Sequence, residues 1–510
     1  MKSGRRQRSG ESMRWGALLW AAVSVTASMA VWAAGGNAPP TLPETPAGRL
    51  MAALIASINS PSAGDIDRFV ATDFVAGSAV NDSWPSRCCD PKDVTATLAN
   101  IARRSGGVTL EEVQANGVDV VAFVKARNSG TRIYLQLRAT DGEPAKIRSY
   151  QIVPMLHSTG EVLPPTSAQA TFGERLEMAR RAVGEAAGRD LFSGTLLVAS
   201  QGKVLLEGAY GEADKATHRK ISLETRFGLA SVGKLFTGVA VAQLVSKGLV
   251  DYDTPIARYV PDYPNREVAS RITLRQLLTH TSGLADIYAE SKPKTPLRRL
   301  ADYYPLFANR PLLFEPGKGQ SYSNTGFLVA SMVVERVSGE EFRHYLEAHI
   351  FKPAGMTHTS WIKAADVAVP YTLDDPDDPL APDRPWVSAE PFYADLLGGP
   401  AVGAGGEYST VGDLLAFATA LGSGRILDSR AFSRLIEEGL GCLCSHQGGH
   451  RVYGHGGGGP GVDTGIQFDV GRKFVVIFLS NYSPPFPQQL AGEIGQLLEG
   501  PEGGGAGPGS

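Results

Sequence analysis

Cysteine is scarce in this 510-residue chain: there are four, falling in two tight pairs, Cys88-Cys89 and Cys442-x-Cys444. That number excludes a disulfide-stapled small scaffold and leaves stability to apolar burial, for which 43% of the residues are suited. A basic surplus is also missing. The net charge of −3 excludes the electrostatic footprint of a nucleic-acid binder, so no nucleic-acid partner is expected. Beyond residue 34 no apolar run is long enough to cross a bilayer. No His-Glu-x-x-His occurs, which removes the zinc-peptidase helix, and no Gly-x-Ser-x-Gly occurs, which removes the α/β-hydrolase elbow. The acidic run Asp374, Asp375, Asp377 and Asp378 lacks the Gly and Glu of a calcium loop and reads as a solvated loop. Cys442, Cys444, His446 and His450 lack the spacing and the second paired element of a zinc site. No metal and no cofactor is expected.

The N-terminus is the one segment with a charge of its own. Lys2, Arg5, Arg6, Arg8 and Arg14 face a single acid, Glu11, and the stretch from Trp15 to Ala34 carries no charge at all. Ala30, Ala33 and Ala34 close the run before Gly35-Gly36-Asn37-Ala38-Pro39-Pro40. A basic start, an apolar middle and small residues at the end describe a secretory signal over residues 1–34. Ser24, Thr26 and Ser28 make it a poor permanent anchor. The mature protein is therefore expected to be exported, periplasmic or secreted, with membrane attachment only if the signal stays uncleaved. An oxidising compartment favours disulfides, and four cysteines permit three full pairings that sequence does not separate.

Residues 44–155 read as one small α+β unit. Leu50, Met51, Leu54, Ile55 and Ile58 mark a helix face, and Gly64-Asp65 caps a second helix carrying Ile66, Phe69 and Val70. Period-two segments follow at Val108–Val113, Val118–Val124, Arg132–Leu137 and Lys146–Val153, with turns at Asn128-Ser129-Gly130 and Asp141-Gly142. Helices followed by a curved antiparallel sheet resemble the NTF2-like cone. No convergent catalytic set lies here, so a structural role, or pairing into a homodimer through this unit, is expected. Residues 156–170 read as a linker, 171–499 as the second domain, and the Gly-rich 500–510 as a disordered tail.

The second domain opens with a hairpin, Gly194–Ala199 and Val204–Gly208, turning at Gln201-Gly202. It closes with another, Thr464–Asp469 and Phe474–Leu479, and a helix over Gln488–Leu498. Long helical patterns lie between, including Val232–Val245 and Phe327–Val337. The expected fold class is α/β in the α+β sense: one antiparallel sheet flanked by helices, plus a helical subdomain.

Three short motifs carry the chemistry. In Ser231-Val232-Gly233-Lys234 the apolar residues that follow have helical spacing, so Ser231 stands at a helix N-terminus with Lys234 one turn on. Free N–H groups there suit a developing oxyanion, and a desolvated lysine amine can take a serine proton. Tyr322-Ser323-Asn324 sits at the entrance to the Phe327–Val337 helix, where a phenol can relay protons and an amide can hold a substrate carbonyl. His455-Gly456-Gly457-Gly458 leads into the closing hairpin, where glycines let a substrate backbone approach.

In this order the three pieces resemble the serine β-lactamase and penicillin-binding-protein superfamily, with its series Ser-x-x-Lys, Tyr-x-Asn, and Lys-Thr-Gly or His-x-Gly. Leu277-Leu278-Thr279-His280-Thr281-Ser282-Gly283-Leu284, Gly405-Gly406-Glu407-Tyr408-Ser409-Thr410, Asp413 and Pro353-Ala354-Gly355-Met356 are similar to the class C branch and its esterase relatives. The resemblance covers roughly residues 170–498. It implies Ser231 as nucleophile, Lys234 as its base or as the group holding Tyr322 in a low-pKa state, and Tyr322 as proton shuttle. It further implies an oxyanion hole from the backbone N–H groups of Ser231 and Gly458, with Asn324, His455, Gly456 and Gly457 positioning the substrate. His280 belongs to a loop that looks structural in the family. One departure matters. His455 stands where β-lactamases usually carry Lys, and free histidine is only about a tenth protonated at pH 7.5, so it binds a substrate carboxylate less reliably. The expected substrate is thus a small ester, amide or D-peptide rather than a β-lactam. The rival from another class is a non-catalytic scaffold of the cell envelope.

Overall fold

The computed structural model describes residues 40–60, 62–75, 91–128, 130–140, 142–155, 162–163, 170–287, 297–373, 385–390, 403–447, 450–484 and 486–499. The predicted signal, the Cys88-Cys89 pair, the acidic run at 374–378 and the Gly-rich tail lie outside these residues.

The N-terminal unit holds α1 (Pro46–Asn59), α2 (Ala63–Asp73), α3 (Pro91–Ser105) and the strands β1 (Val108–Asn116), β2 (Asp119–Ala126), β3 (Arg132–Ala139) and β4 (Ile147–Met155). Thr45 caps α1 by accepting from Gly48 N, and Pro46 takes the first helical position, where no N–H is needed. Leu50, Met51, Leu54 and Ile58 face inward as their spacing predicts, and the four strands form an antiparallel meander in chain order. Four details differ from expectation. α2 starts at Ala63, so Asp65 sits inside its first turn rather than capping it, and accepts from Ser60 Oγ at 2.6 Å. The helix α3 had no sequence signal beyond Val94, Leu98 and Ile101, which are its buried face. β4 also runs to Met155, and Val162 and Leu163 of the expected linker are buried in the core of the next unit.

That unit is built on six antiparallel strands: β5 (Gly194–Ser200), β6 (Lys203–Tyr210) and, from the end of the chain, β9 (Ser445–Gln447), β10 (His450–Gly459), β11 (Val462–Asp469) and β12 (Phe474–Ser480). Their order is β9-β10-β11-β12-β5-β6, so the two expected hairpins meet where β12 pairs with β5, Phe474 opposite Ser200 and Ser480 opposite Gly194. β12 is buried on both faces, and its alternation divides the core. Phe474, Val476 and Phe478 pack with the helices α4 (Phe172–Gly188) and α8 (Phe486–Glu499). Val475, Ile477 and Leu479 face the larger core, which takes in α5 (Lys234–Ser246), α6 (Asn324–Ser338) and α7 (Val411–Gly422). A short pair, β7 (Phe227–Gly228) with β8 (Tyr408–Ser409), lies beside the start of α5.

His450–Gly459 is a strand in its own right, where the sequence reading had only a glycine-rich lead into a hairpin. Strand propensity misleads here because close backbone approach, not side-chain packing, decides it. A methyl group at Gly454 would overlap the carbonyl oxygen of Ile466 on the neighbouring strand. Cys442 and Cys444 are joined in a disulfide, so neither offers a thiolate to the histidines beside them.

Candidate active site

The nucleophile turn is assembled from strained and tightly packed backbone. Ala230–Gly233 forms a 3-10 turn that runs straight into α5, whose residues Lys234 to Ala242 are all buried, as a helix through the middle of a core must be. Ala230, just before Ser231, has φ of +45°, in the left-handed region that costs an alanine about 1 kcal/mol. Packing holds it there: Gly405 lies against the Ala230 carbonyl so closely that a side chain would overlap it. From the other side β10 presses on the same turn. A methyl group at Gly457 would overlap the Leu229 carbonyl oxygen and stand 2.7 Å from Thr464 Oγ1 and 3.1 Å from Ser231 N.

Around Ser231 the structure gathers three of the residues singled out from sequence, Lys234, Tyr322 and Asn324. Lys234 Nζ lies 2.9 Å from Ser231 Oγ, 2.8 Å from Asn324 Oδ1 and 2.9 Å from the Ala404 carbonyl oxygen. Three N–H donors thus meet three acceptors. Tyr322 Oη stands 2.8 Å from the same Ser231 Oγ, and the Lys234 amine lies 4.9 Å over the Tyr322 ring. A serine hydroxyl has one proton, so only one of these two neighbours can receive it at a time. Lys234 has no exposed surface, and burial lowers its amine from the usual lysine range to about 7, against the opposing pull of Asp286 and Glu407. The lysine can therefore exist in either charge state near neutral pH.

Asn324 has bonds within the protein that the sequence does not announce. Its side chain is 5% exposed; Oδ1 accepts from Lys234, and Nδ2 donates to Asp286 Oδ2 at 3.1 Å. Asp286 also accepts from the Asn324 backbone N–H at 2.7 Å, which fixes the amide's orientation at the start of α6. Its oxygen and one of its two N–H groups are engaged within the protein, so the amide orients the lysine.

His455 lies on β10 with its ring centroid 6.4 Å from that of Tyr322. It is buried and lies 2.5 Å through Nδ1 from the Gly456 carbonyl, which assigns the proton to Nδ1 and leaves Nε2 as an acceptor. Desolvation first, and then the Lys234 charge, pull its pKa down to about 3. His455 is neutral at physiological pH, which strengthens the expectation that it offers no cation to a carboxylate. Gly456, Gly457 and Gly458 follow it along β10, with Gly458 paired to Asp463 of β11.

Three groups at the site escaped the sequence reading. His280, set aside as structural, stacks on Tyr322 with centroids 4.5 Å apart, accepts from Ser323 N at 3.0 Å, and is held uncharged by burial. Asp286 orients Asn324. Glu407 is wholly buried beside Gly233. An acid at the centre of Gly405-Gly406-Glu407-Tyr408, a stretch that otherwise reads as a turn, was the available signal for the last.

Because the Gly457 contact is with backbone, Gly457→Ala is expected to lower kcat/KM on p-nitrophenyl butyrate by about 100-fold or more, through displacement of the Ser231 turn. Kinetics beside a near-UV circular dichroism spectrum would check this; a variant with wild-type kcat/KM would show that β10 does not position the nucleophile.

The beta-lactamase family profile matches residues 178–498, more than half of the chain. The chain belongs to the beta-lactamase family. Penicillin-binding protein 4* of Bacillus subtilis (strain 168) is 30% identical over 315 residues, spanning 57% of this chain and 68% of that protein. Among solved structures, a penicillin binding protein from Bacillus halodurans is 28% identical with a TM-score of 0.53, covering 64% of this chain and 98% of the other. The D-amino acid amidase from Ochrobactrum anthropi SV3 is 25% identical with a TM-score of 0.54, over the same shares of the two chains. The antiparallel sheet flanked by helices is the beta-lactamase fold shared with these structures. As a beta-lactamase-family member the chain is a serine hydrolase, of the group that works through an acyl-enzyme.

Proposed function

We propose that this protein is an exported hydrolase that cleaves small esters or amides, D-amino-acid amides and D-peptides without a carboxylate beside the scissile bond among them, by acylating Ser231. One observation carries the reading: Ser231 Oγ lies within hydrogen-bond distance of both a fully buried lysine amine and a tyrosine hydroxyl.

Ser231 Oγ attacks the substrate carbonyl carbon and its proton passes to whichever of Lys234 and Tyr322 is the free base. The carbonyl oxygen becomes an oxyanion at the N-terminus of the nucleophile turn, where the backbone N–H groups of Ser231 and Gly458 receive it. Tyr322, which reaches outward from the lysine, returns the proton to the leaving alcohol or amine as the bond to carbon breaks. Water then takes the leaving group's place, gives its proton to the same pair, and releases the acid with Ser231 restored.

Selectivity against such a carboxylate rests on where the cations are. Lys234 is spent on three internal acceptors, and His455 carries no charge near pH 7. A carboxylate beside the scissile bond would find no charge on His455 and a Lys234 amine already committed to acceptors within the protein. The relation to a D-amino acid amidase favours amide substrates on the same grounds. We read residues 1–34 as the signal that directs export, and the unit at 44–155 as an NTF2-like cone that serves structure or self-association.

The decisive test is to quench the protein during p-nitrophenyl butyrate turnover and map the adduct by mass spectrometry. A butyryl group on the peptide carrying Ser231 is expected. Turnover with the acyl group on another residue, or with none trapped under burst conditions, would overturn the assignment.

A further inference from the structure

Glu407 is a carboxylate that nothing else in the fold explains. It has no exposed surface, and neither carboxylate oxygen has a hydrogen-bond partner among the described residues. A buried acid kept only for structure is hydrogen-bonded, because an unpaired one is costly to fold around. The backbone places it with care. Its carbonyl oxygen accepts from Leu229 N at 2.8 Å, and the next two residues form β8 against β7, so the strand pair and the nucleophile turn are locked to one another. The side chain then folds beneath the turn, where its Oε2 occupies the space that a side chain on Gly233 would need. Gly233 is the residue directly before Lys234.

We propose that Glu407 is a positioning residue for Lys234: its carboxylate, seated under the Gly233 turn, is the counter-charge against which the lysine holds and releases its proton. The inference rests on the acyl-serine reading above.

The charged and titratable groups around the pair are few. Lys234 and, from α6's flanking helix at Phe342–Leu346, Arg343 are the cations that act on Glu407, with the Trp361 indole N–H on the same side but outside hydrogen-bond geometry. Lys234 is faced by Asp286, Tyr322, His280 and His455, of which the two histidines are uncharged. Asp286 already holds the Asn324 amide and backbone. Asp286 exerts the stronger pull on Lys234; Glu407 is the second acid, and its carboxylate has no hydrogen bond among the described residues. Burial pushes its carboxyl up to about 7, into the range to which burial brings Lys234 down. Two groups that titrate together beside the nucleophile can exchange charge as Ser231 gives up its proton and takes it back.

The test is the pH dependence of kcat/KM for p-nitrophenyl butyrate in wild type, Glu407→Gln and Glu407→Asp. Loss of the negative charge makes a charged Lys234 less favourable, so Glu407→Gln should move one limb of the profile to lower pH by about one unit or more. Movement of the acidic limb means the neutral lysine is the working base; movement of the basic limb means the charged lysine is needed to hold Tyr322 as phenolate. Glu407→Asp keeps the charge and should return the limb toward wild type, which a merely structural role would not do. A folded Glu407→Gln protein with both limbs unmoved overturns the proposal. If that variant does not fold, carboxyl 13C NMR of the wild-type protein decides: one glutamate titrating near pH 7 supports the coupling, and all glutamates titrating in the ordinary range overturns it. Absence of a Ser231 adduct in the trapping experiment would instead sink the acyl-serine reading, whatever the profile does.

Discussion

Ser231→Ala is expected to lower kcat/KM on p-nitrophenyl butyrate by about 10,000-fold or more while leaving the fold intact. The removed oxygen lies within hydrogen-bond distance of both Lys234 and Tyr322. Without it neither base has a nucleophile to activate, and the small remaining rate is what the oxyanion site and binding provide to water. Stability should change little, because Lys234 keeps Asn324 Oδ1 and the Ala404 carbonyl, and the turn is held by Gly405 and Gly457 rather than by the hydroxyl. Steady-state kinetics and thermal unfolding of the two proteins would check both halves. Retained turnover would place the chemistry elsewhere.

Lys234→Met is expected to lower kcat/KM by about 1,000-fold or more, with a distinctive effect on stability. The methionine matches the volume of the lysine stem but leaves three acceptors without their donors. The pH dependence carries its own sign. Lys234 is depressed to about 7 in the folded protein, below the value near 10.4 of an unfolded chain. Between those two values the unfolded chain binds more protons, so the wild-type protein gains stability from this group as pH rises through that window. Below it both states are charged and the burial penalty stands in full. The variant has no such group. Its unfolding temperature relative to wild type should therefore be highest at pH 7 and fall steadily toward pH 10. A constant difference across that range would mean that Lys234 is charged throughout.

What was legible from sequence follows from range. The hairpins at either end of the second domain announce themselves by alternation over a handful of residues, and Ser231 and Lys234 lie within one turn of each other. Tyr322 was readable because it opens a helix whose pattern is clear. Asn324 is legible as a site residue, but its hold on the lysine is not, since the direction of its amide depends on Asp286, 38 positions earlier in the chain. Glu407 and His280 reach the site through folds of the backbone that no local spacing encodes. The glycines of β10 read as a turn because their value lies in what they make room for: the Leu229 carbonyl and the turn beyond it. Among its described side chains α3 buries three large apolar residues, Val94, Leu98 and Ile101, too sparse a pattern to announce a helix.

The junction of β5 and β12 has a consequence for how the protein comes into being. Gly194 and Ser480 are neighbours in the finished sheet, yet nearly the whole second domain separates them along the chain. The sheet therefore cannot close during synthesis until its last strand has emerged, and α5, buried from Lys234 to Ala242, waits for it. The meander β1-β2-β3-β4, joined strand to next strand, has no such wait. The newly made chain carries a finished front half and an open back half, and it is in that condition that chaperones and proteases first meet it.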